Sequence, residues 1–355
     1  MKDIAPFPIG ARQVEWGHPC FLIAEAGGNH NGDVGMARRL IDAAKEAGAD
    51  AVKFQTFSAE RLVTADAPQA AYQIRNLGVA EGQYAMLKRL ELSEDAHREL
   101  LQHCEARGIL FLSTPFEEES ADFLESLGVT AYKIPSSEIT NTPFLAHVAC
   151  KGKPLIVSTG MSTMEEVHEA VAVIRQSGNP PLALLHCVSN YPAAPEDINL
   201  RAMATLREAF GVPVGYSDHT QGLEIALAAV ALGACIIEKH FTLDRALPGP
   251  DHKASLEPTE LQNLVTAIRR VEASFGDGNK RPMAGELVNK PLMQKSLVTR
   301  RFVPAGKVFE PADLACRRPA TGLPPAWFAR IVGRTAARDV PENTPLTLAD
   351  IEGHA

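Results

Sequence analysis

Eight short apolar segments alternate with amphipathic stretches over residues 21–241, and this alternation restricts the fold more than any other feature. Near-continuous apolar character is typical of strands buried on both faces of a parallel sheet. The segments are FLIAEAG (21–27), AVKFQTF (51–57), ILFLSTPF (109–116), AYKIPSS (131–137), PLIVSTG (154–160), LALLHCV (182–188), VPVGYSDH (212–219) and CIIEKHF (235–241). Eight β–α units favour a (β/α)8 TIM barrel over an open doubly wound sheet.

Polar side chains stand at the carboxyl ends of most of these segments. In a barrel those ends meet on one rim, where the active site is built, and polar groups are costly to bury unless they are paired or functional. The sequence therefore predicts one catalytic site on this rim. The residues concerned are Glu25, Lys53, Gln55, Ser113, Thr114, Lys133, Ser136, Ser158, Thr159, Asp218, His219, Glu238 and His240.

Two histidines, His219 and His240, end adjacent predicted strands. Neutral imidazole is the commonest protein ligand of divalent metals, and Glu25 and Glu238 are expected nearby. Two imidazoles with oxygen donors leave coordination positions open for water or substrate. This donor set predicts a catalytic divalent metal, Mn²⁺ or Mg²⁺, in preference to a closed zinc site.

Two lysines, Lys53 and Lys133, supply positive charge on the same rim, among hydroxyl side chains. Lysine with hydroxyl donors can bind a phosphate or a carboxylate. A lysine of depressed pKa could instead form a Schiff base with a carbonyl substrate, as in aldolases. No G-x-x-x-x-G-K-[ST] motif is present, so ATP-driven chemistry has no support.

Two segments outside the predicted strands are also informative. Residues 1–20 are predicted to form a small hairpin, with Gly10 or Gly17 at its turns. Residues 58–92 form a long connection, either a lid or a disordered insertion. Its Tyr, Gln and Asn side chains favour a substrate-covering loop.

The chain changes character after the helix predicted at 257–275. We expect a barrel domain at 1–280, a Gly-, Pro- and charge-rich linker at 281–294 and a small domain at 295–355. Within the small domain, VPAGKVFEPADL (303–314) matches VPENTPLTLADI (340–351) without a gap. Two copies of one short motif indicate a pseudo-symmetric module.

Composition excludes several classes of protein. A formal charge of −8 argues against a nucleic-acid binder. Six scattered cysteines without a C-x-x-C pair indicate reduced thiols in a cytoplasmic protein. The N-terminus has no apolar signal-peptide core, and the longest apolar stretch, Ile225–Ile237, is too short to span a membrane. We therefore expect no membrane partner.

At these motifs the chain resembles the sialic acid synthase family, including its legionaminic acid synthases. The motifs that carry the resemblance are AEAGGNHNG (24–32), VKFQTF (52–57), FLSTPF (111–116), YKIPSSEI (132–139), IVSTGM (156–161), GYSDHT (215–220) and EKHFTLDRALPGPDHKAS (238–255). The C-terminal part resembles the antifreeze-protein-like (SAF) domain that follows the barrel in those synthases. The resemblance implies an enzyme that condenses phosphoenolpyruvate with a 2-acetamido-mannose-type sugar.

The resemblance also implies roles for individual residues. His219 and His240 would hold the divalent metal, and Glu25 would be an essential carboxylate near the reacting carbons. Arg318 would reach the sugar in the barrel of a second subunit, which implies a domain-swapped homodimer. Phosphoenolpyruvate would be bound by Lys53, Thr114, Lys133, Ser136, Ser158 and Ser217. The sugar would be bound by Gln55, Asn76, Tyr191 and Asp251. Ser137 and Ser189 stand where many relatives have other residues.

The sugar substrate stays open at this point. We favour N-acetylmannosamine, which would give N-acetylneuraminate, over 2,4-diacetamido-2,4,6-trideoxymannose, which would give N,N'-diacetyllegionaminate. Pseudaminate synthase is a poorer fit. Two alternatives from other classes are a Schiff-base aldolase, or a related synthase that uses phosphoenolpyruvate, and a non-catalytic carbohydrate- or ice-binding protein. The last lacks a flat Thr-rich face and leaves the polar rim unexplained.

Overall fold

Each of the eight apolar segments forms a parallel strand of one sheet in the computed structural model, which describes residues 7–353. The strands are β1 (Phe7–Ile9), β2 (Arg12–Val14), β3 (Phe21–Gly27), β4 (Ala51–Thr56), β5 (Leu110–Pro115), β6 (Tyr132–Ile134), β7 (Leu155–Ser158), β8 (Leu182–Cys187), β9 (Val214–Asp218), β10 (Ile236–His240), β11 (Ser296–Thr299) and β12 (Leu314–Arg317). The sheet order is β5-β4-β3-β10-β9-β8-β7-β6. Because β5 and β6 also lie against each other, the sheet forms the predicted TIM-like barrel.

The helices are α1 (Val34–Ala47), α2 (Ala59–Leu62), α3 (Ala71–Leu77), α4 (Gln83–Leu90), α5 (Glu94–Arg107), α6 (Glu118–Ser126), α7 (Thr142–Ala149), α8 (Met164–Gln176), α9 (Ala202–Phe210), α10 (Glu224–Ala231), α11 (Pro258–Ala273), α12 (Ala284–Leu287), α13 (Lys290–Met293) and α14 (Phe328–Ile331). Helices α1 and α5–α11 alternate with or follow the barrel strands, α2–α4 lie in the 58–92 connection, and α12–α14 lie after the last barrel helix. Helix α5 shows the local signals: Ser93 accepts the Ala96 N–H at its start, and Gly108 at φ 65° ends it.

The interior of the barrel is apolar at its amino end. Phe7, Ile9 and Val14, from the antiparallel β1–β2 hairpin, pack with inward-facing strand residues such as Ile23 and Leu185. Gly10 at φ 56° forms the hairpin turn. The hairpin therefore fills this end of the barrel and leaves the carboxyl end for the polar groups. The first six residues of the predicted hairpin segment lie outside the described residues.

The connection at 58–92 contains three short helices, α2, α3 and α4, where the sequence favoured a loop. Ion pairs hold these helices in place: Arg61 lies 3.0 Å from Glu117 at the start of α6, and Lys88 lies 2.8 Å from Glu60. Isolated helices of this length are marginal in water. Tertiary contacts, which local sequence does not encode, therefore decide that the connection is helical.

The described residues divide into two compact units between Phe275 and Gly276. The second unit contains the internal repeat, whose two copies pair with each other. Val303 N donates to Val340 O at 2.9 Å, and Val340 N donates to Val303 O at 2.8 Å. Reciprocal pairing of equivalent residues places a pseudo-twofold axis between the copies, as the repeat predicts.

The repeat also places two buried carboxylates in equivalent positions. Asp313 accepts from Arg301 Nε at 2.5 Å, and Asp350 accepts from Arg338 Nε at 2.7 Å. Each aspartate also accepts the backbone N–H three residues earlier, at 2.9 Å and 2.7 Å respectively. The two copies therefore share one polar framework. Around it packs a small apolar core that includes Leu297, Phe309, Leu314, Ile331, Leu346 and Ile351.

No helix among residues 7–353 is both long enough and apolar enough to cross a bilayer.

Candidate active site

A cavity of about 550 Å³ opens at the carboxyl ends of the barrel strands. Its walls come from all eight barrel strands or the segments that follow them, and from α2–α4. Of the fourteen residues to which the family resemblance gives a role, twelve line it. They are Glu25, Lys53, Gln55, Thr114, Lys133, Ser136, Ser158, Tyr191, Ser217, His219, His240 and Asp251.

Strand alternation decides which rim side chains face the cavity. On β10, Glu238 and His240 line it, whereas Lys239 between them faces the outer layer. Asp218, which the sequence placed on the catalytic rim, also faces outward and forms a buried ion pair with Lys239. The expectation for Asp218 is therefore wrong, because side chains on a strand alternate between the two faces of the sheet.

The bottom of the cavity is a cluster of two lysines and two glutamates. Lys53 Nζ lies 2.5 Å from Glu25 Oε2, donates to Thr114 Oγ1 at 2.9 Å and lies 3.7 Å from Glu238 Oε2. These groups are almost entirely buried. Water therefore screens the interactions between these charges only weakly. The net charge of the cluster stays close to zero.

The second lysine, Lys133, lies on the other side of Glu238. Its Nζ donates to Ser158 Oγ at 2.6 Å and lies 3.7 Å from Glu238 Oε1, which also accepts from Ser217 Oγ at 2.9 Å. Burial lowers the pKa of Lys133. Its ion pair with Glu238 includes no hydrogen bond, so the ammonium is available as a donor to an anionic ligand.

The two glutamates differ in their protonation. Burial, partly opposed by Lys53, raises the pKa of Glu25 to about 7. Burial also acts on Glu238, but there the ammonium groups of Lys133 and Lys53 outweigh it, and its pKa is lowered to about 2. Glu238 is therefore the permanently charged member of the pair.

The two histidines lie side by side, with ring centroids 5.4 Å apart. Burial lowers the pKa of His219 to about 4 and also lowers that of His240, so both imidazoles are neutral at pH 7. His219 Nδ1 lies 2.7 Å from Val188 O, and His240 Nδ1 is buried without a protein partner.

Neutral imidazoles with an unpartnered nitrogen fit a divalent ion. Over residues 7–353, no group of three or more His, Cys, Asp and Glu is arranged to hold a metal. An ion bound by His219 and His240 would therefore keep several positions open for water or substrate, which suits Mn²⁺ or Mg²⁺.

Aromatic rings form the wall beside the histidines. The Tyr191 ring centroid lies 4.2 Å from that of His219 and 5.0 Å from that of Tyr72 on α3. Asp251 lines the cavity near these rings, and burial raises its pKa to about 6. This side of the cavity combines flat apolar surface with a hydrogen-bonding group, as sugar-binding sites do.

The 58–92 connection also lines the cavity. Its residues Leu62, Val63, Met86, Leu87 and Leu90 form an aliphatic wall, and its Gln73 and Gln83 add polar groups. The connection therefore covers the cavity, and its aliphatic wall accommodates methyl groups better than hydroxyl groups.

Two residues to which the resemblance gives a role, Asn76 and Arg318, do not line the cavity, and neither do Ser113 and Thr159 of the predicted rim. Asn76 on α3 donates from its Nδ2 to Pro250 O at 2.6 Å, which fixes α3 to the segment before Asp251. Arg318 is exposed in the C-terminal unit, directly after β12. Its predicted contact with the sugar of a second subunit stays a prediction.

The sequence comparisons agree with this arrangement. The NeuB family model matches residues 40–280, and the SAF domain model matches residues 294–352. The N,N'-diacetyllegionaminic acid synthase of Legionella pneumophila is 49% identical over 337 residues, 94% of this chain and 95% of that protein. The enzyme of the same name from Campylobacter jejuni is 46% identical over 91% of this chain and 97% of its own length. This chain belongs to the NeuB family.

A solved structure supports the same assignment for the fold. The N-acetylneuraminic acid synthetase of Leptospira borgpetersenii superposes with a TM-score of 0.72 and 37% identity, over 80% of this chain and 95% of that one. This chain is therefore an enzyme of the sialic acid synthase class. Its identity to the two N,N'-diacetyllegionaminic acid synthases is higher than its identity to the N-acetylneuraminic acid synthetase. The comparisons therefore favour the legionaminate branch over the neuraminate branch that we preferred from the sequence.

The cavity of this NeuB-family enzyme includes residues that we did not assign to substrate. Glu238 was predicted to lie on the rim near the metal, but its position between both lysines was not predicted. The E-x-H spacing on β10 indicates that Glu238 and His240 share one face of the strand. Cys187, one of the six scattered cysteines, also lines the cavity, with its Sγ 3.1 Å from Ser136 Oγ. Tyr72 lies on a helix that the sequence did not predict.

Proposed function

We propose that this enzyme condenses phosphoenolpyruvate with 2,4-diacetamido-2,4,6-trideoxymannose to give N,N'-diacetyllegionaminate and phosphate. The observation that carries the proposal is the aliphatic wall of the cavity, formed by residues such as Leu87 and Leu90. A trideoxy sugar has a methyl group at C6 and two acetamido methyls, which this wall would take out of water. The high identity to two enzymes of that name supports the same substrate.

Phosphoenolpyruvate would lie at the bottom of the cavity. Lys133, already hydrogen-bonded to Ser158, would bind its phosphate or carboxylate, and Ser136 and Ser217 would supply further donors. Lys53 would contribute the second positive charge. In this buried setting, fixed donors stabilise an anion without having to reorganise during the reaction.

The sugar would occupy the outer part of the cavity, between the Tyr72–Tyr191 pair and the aliphatic wall. Gln55, Tyr191 and Asp251 would contact its hydroxyl and amide groups. C3 of phosphoenolpyruvate would then attack C1 of the open-chain aldehyde, and water would add to C2. The resulting tetrahedral intermediate would lose phosphate by C–O cleavage. Glu25, at the junction of the two subsites, would orient the water.

A divalent ion held by His219 and His240 would supply Lewis acidity at the aldehyde oxygen. The two neutral rings and the unpartnered Nδ1 of His240 support this role. We also propose that the active form is a domain-swapped homodimer, in which Arg318 of one subunit completes the sugar site of the other. Mixing Lys133→Met with Arg318→Ala should give more activity than either variant has alone, because one site per mixed dimer would be intact.

Phosphate release tests the proposal directly. The enzyme is incubated with phosphoenolpyruvate and Mn²⁺, with N-acetylmannosamine and the diacetamido-trideoxy sugar in parallel. We expect faster release with the trideoxy sugar, and loss of release with EDTA or in His219→Ala. Faster release with N-acetylmannosamine would assign the neuraminate branch instead. No release with either sugar from folded, metal-loaded enzyme would refute the synthase proposal, and trapping of an imine with borohydride would then favour the aldolase.

A further inference from the structure

A buried ion pair lies on the outer face of β9 and β10, directly behind the two histidines. Lys239 and Asp218 are opposite each other in the strand register, and Lys239 Nζ lies 2.7 Å from Asp218 Oδ2. Both side chains are almost completely inaccessible to solvent, at 1% and 0% exposure. Neither faces the cavity, so neither touches substrate.

The pair also fixes the backbone around His219. Lys239 Nζ donates to Thr220 O at 2.6 Å, and Asp218 Oδ1 accepts from Thr220 N at 2.9 Å and from Thr220 Oγ1 at 2.7 Å. The residues on both sides of His219 are therefore bound to Lys239, which itself directly precedes His240 in the chain. One ammonium group joins the backbone segments that carry the two imidazoles.

On the cavity side the Tyr191 ring packs against both imidazoles, with centroid distances of 4.2 Å to His219 and 5.5 Å to His240, but these ring contacts fix neither backbone segment. The hydrogen bond from His219 Nδ1 to Val188 O sets the rotation of one ring, and His240 Nδ1 has no protein partner. A buried ion pair adds little net stability relative to an apolar pair of similar volume. Its presence at this position therefore points to control of geometry.

We infer that Lys239 and Asp218 are positioning residues that set the spacing of His219 and His240 for a divalent ion. The inference rests on the metal site in the proposed function. It goes beyond that proposal because it assigns the geometry of the site to a pair on the opposite face of the sheet. Groups that orient metal ligands typically change metal affinity about 10- to 100-fold when they are removed.

The test measures Mn²⁺ binding to the full-length apoenzyme by titration calorimetry, without either substrate. Three variants disturb the ion pair to different extents. Asp218→Asn keeps an acceptor for Thr220, and Lys239→Met removes the ammonium. The double variant, Asp218→Asn with Lys239→Met, leaves no unpaired charge. The matched control is Asp50→Asn. Asp50 is a mostly buried carboxylate before β4, where it accepts from Leu22 N at 2.8 Å and pairs with Arg12 at the opposite end of the barrel.

We expect the Kd for Mn²⁺ to rise about tenfold or more in the double variant and in Lys239→Met. It should rise less in Asp218→Asn and stay within about twofold of wild type in Asp50→Asn, even where Asp50→Asn lowers the melting temperature as much. Wild-type affinity in the folded double variant, or equal weakening in Asp50→Asn, would overturn the inference and leave the proposed function intact. Failure of the wild-type enzyme to bind Mn²⁺ would refute the metal site itself, and the inference with it.

Discussion

The substitution Lys133→Met separates the binding of an anion from the stability of the barrel. Lys133 is 3% exposed, donates to Ser158 Oγ at 2.6 Å and lies 3.7 Å from Glu238, beyond hydrogen-bonding distance. Methionine is unbranched and can fill the space of the lysine stem. The variant therefore removes a charge and leaves the packing nearly unchanged.

The expected effect on stability is moderate. Removing one partner of a buried ion pair can cost about 3–5 kcal/mol when the remaining charge is left uncompensated. Glu238 keeps the hydrogen bond from Ser217 at 2.9 Å and the charge of Lys53 at 3.7 Å, which offset part of that cost. The hydrogen bond to Ser158 is worth about 1 kcal/mol. We therefore expect the melting temperature of the enzyme to fall by no more than about 10 °C.

The expected effect on activity is large. A hydrogen bond from a charged donor to a buried anion is worth about 1.5–3 kcal/mol. Each 1.36 kcal/mol of lost transition-state stabilisation lowers the rate tenfold, so kcat/KM for phosphoenolpyruvate should fall about 10- to 150-fold. The assay is phosphate release at varied phosphoenolpyruvate, with melting temperature measured on the same preparations.

A matched control is Lys153→Met. Lys153 is half-buried, does not line the cavity and donates to Val129 O at 2.7 Å. It should lose a comparable hydrogen bond and keep full activity. If folded Lys133→Met keeps kcat/KM within about fivefold of wild type, Lys133 contributes less than about 1 kcal/mol, and its assignment to the anion site is wrong.

Three further predictions test other parts of the molecule. Gly160→Ala should raise the KM for phosphoenolpyruvate in steady-state assays, because the added Cβ would lie 2.8 Å from the Ser136 hydroxyl and would displace it. Leu87→Asn should weaken use of the trideoxy sugar about tenfold, and use of N-acetylmannosamine less, in paired kinetic assays. Equal losses with both sugars would contradict the role of the aliphatic wall. In the C-terminal unit, Lys307 and Arg301 outweigh burial and lower the pKa of Asp313 to about 2. A depressed pKa stabilises the fold above about pH 4 and loses that effect as the pH falls towards 2. Acid unfolding followed by circular dichroism should show this loss in the wild type, and less of it in Asp313→Asn.

Local patterns in the sequence determined the architecture. A strand that is buried on both faces must be almost entirely apolar, so eight such runs with helices between them specify a barrel without knowledge of any contact. The carboxyl-terminal residues of those runs, including His219 and His240, then converge because parallel strands share one direction. The internal repeat predicted the symmetry of the C-terminal unit in the same way, because segments with the same turn and strand pattern adopt similar local structures.

The tertiary structure decided features that depend on contacts between distant residues. The face to which Asp218 points follows from the phase of β9, and a shift of one residue reverses every side chain on a strand. The helical form of 58–92 depends on pairs such as Arg61 with Glu117, which are far apart in the chain. The position of Glu238 between two lysines depends on three strands. Sequence patterns determine whether a segment forms a helix or a strand. Which of its side chains face the cavity, and which elements it contacts, follow from packing of the whole barrel.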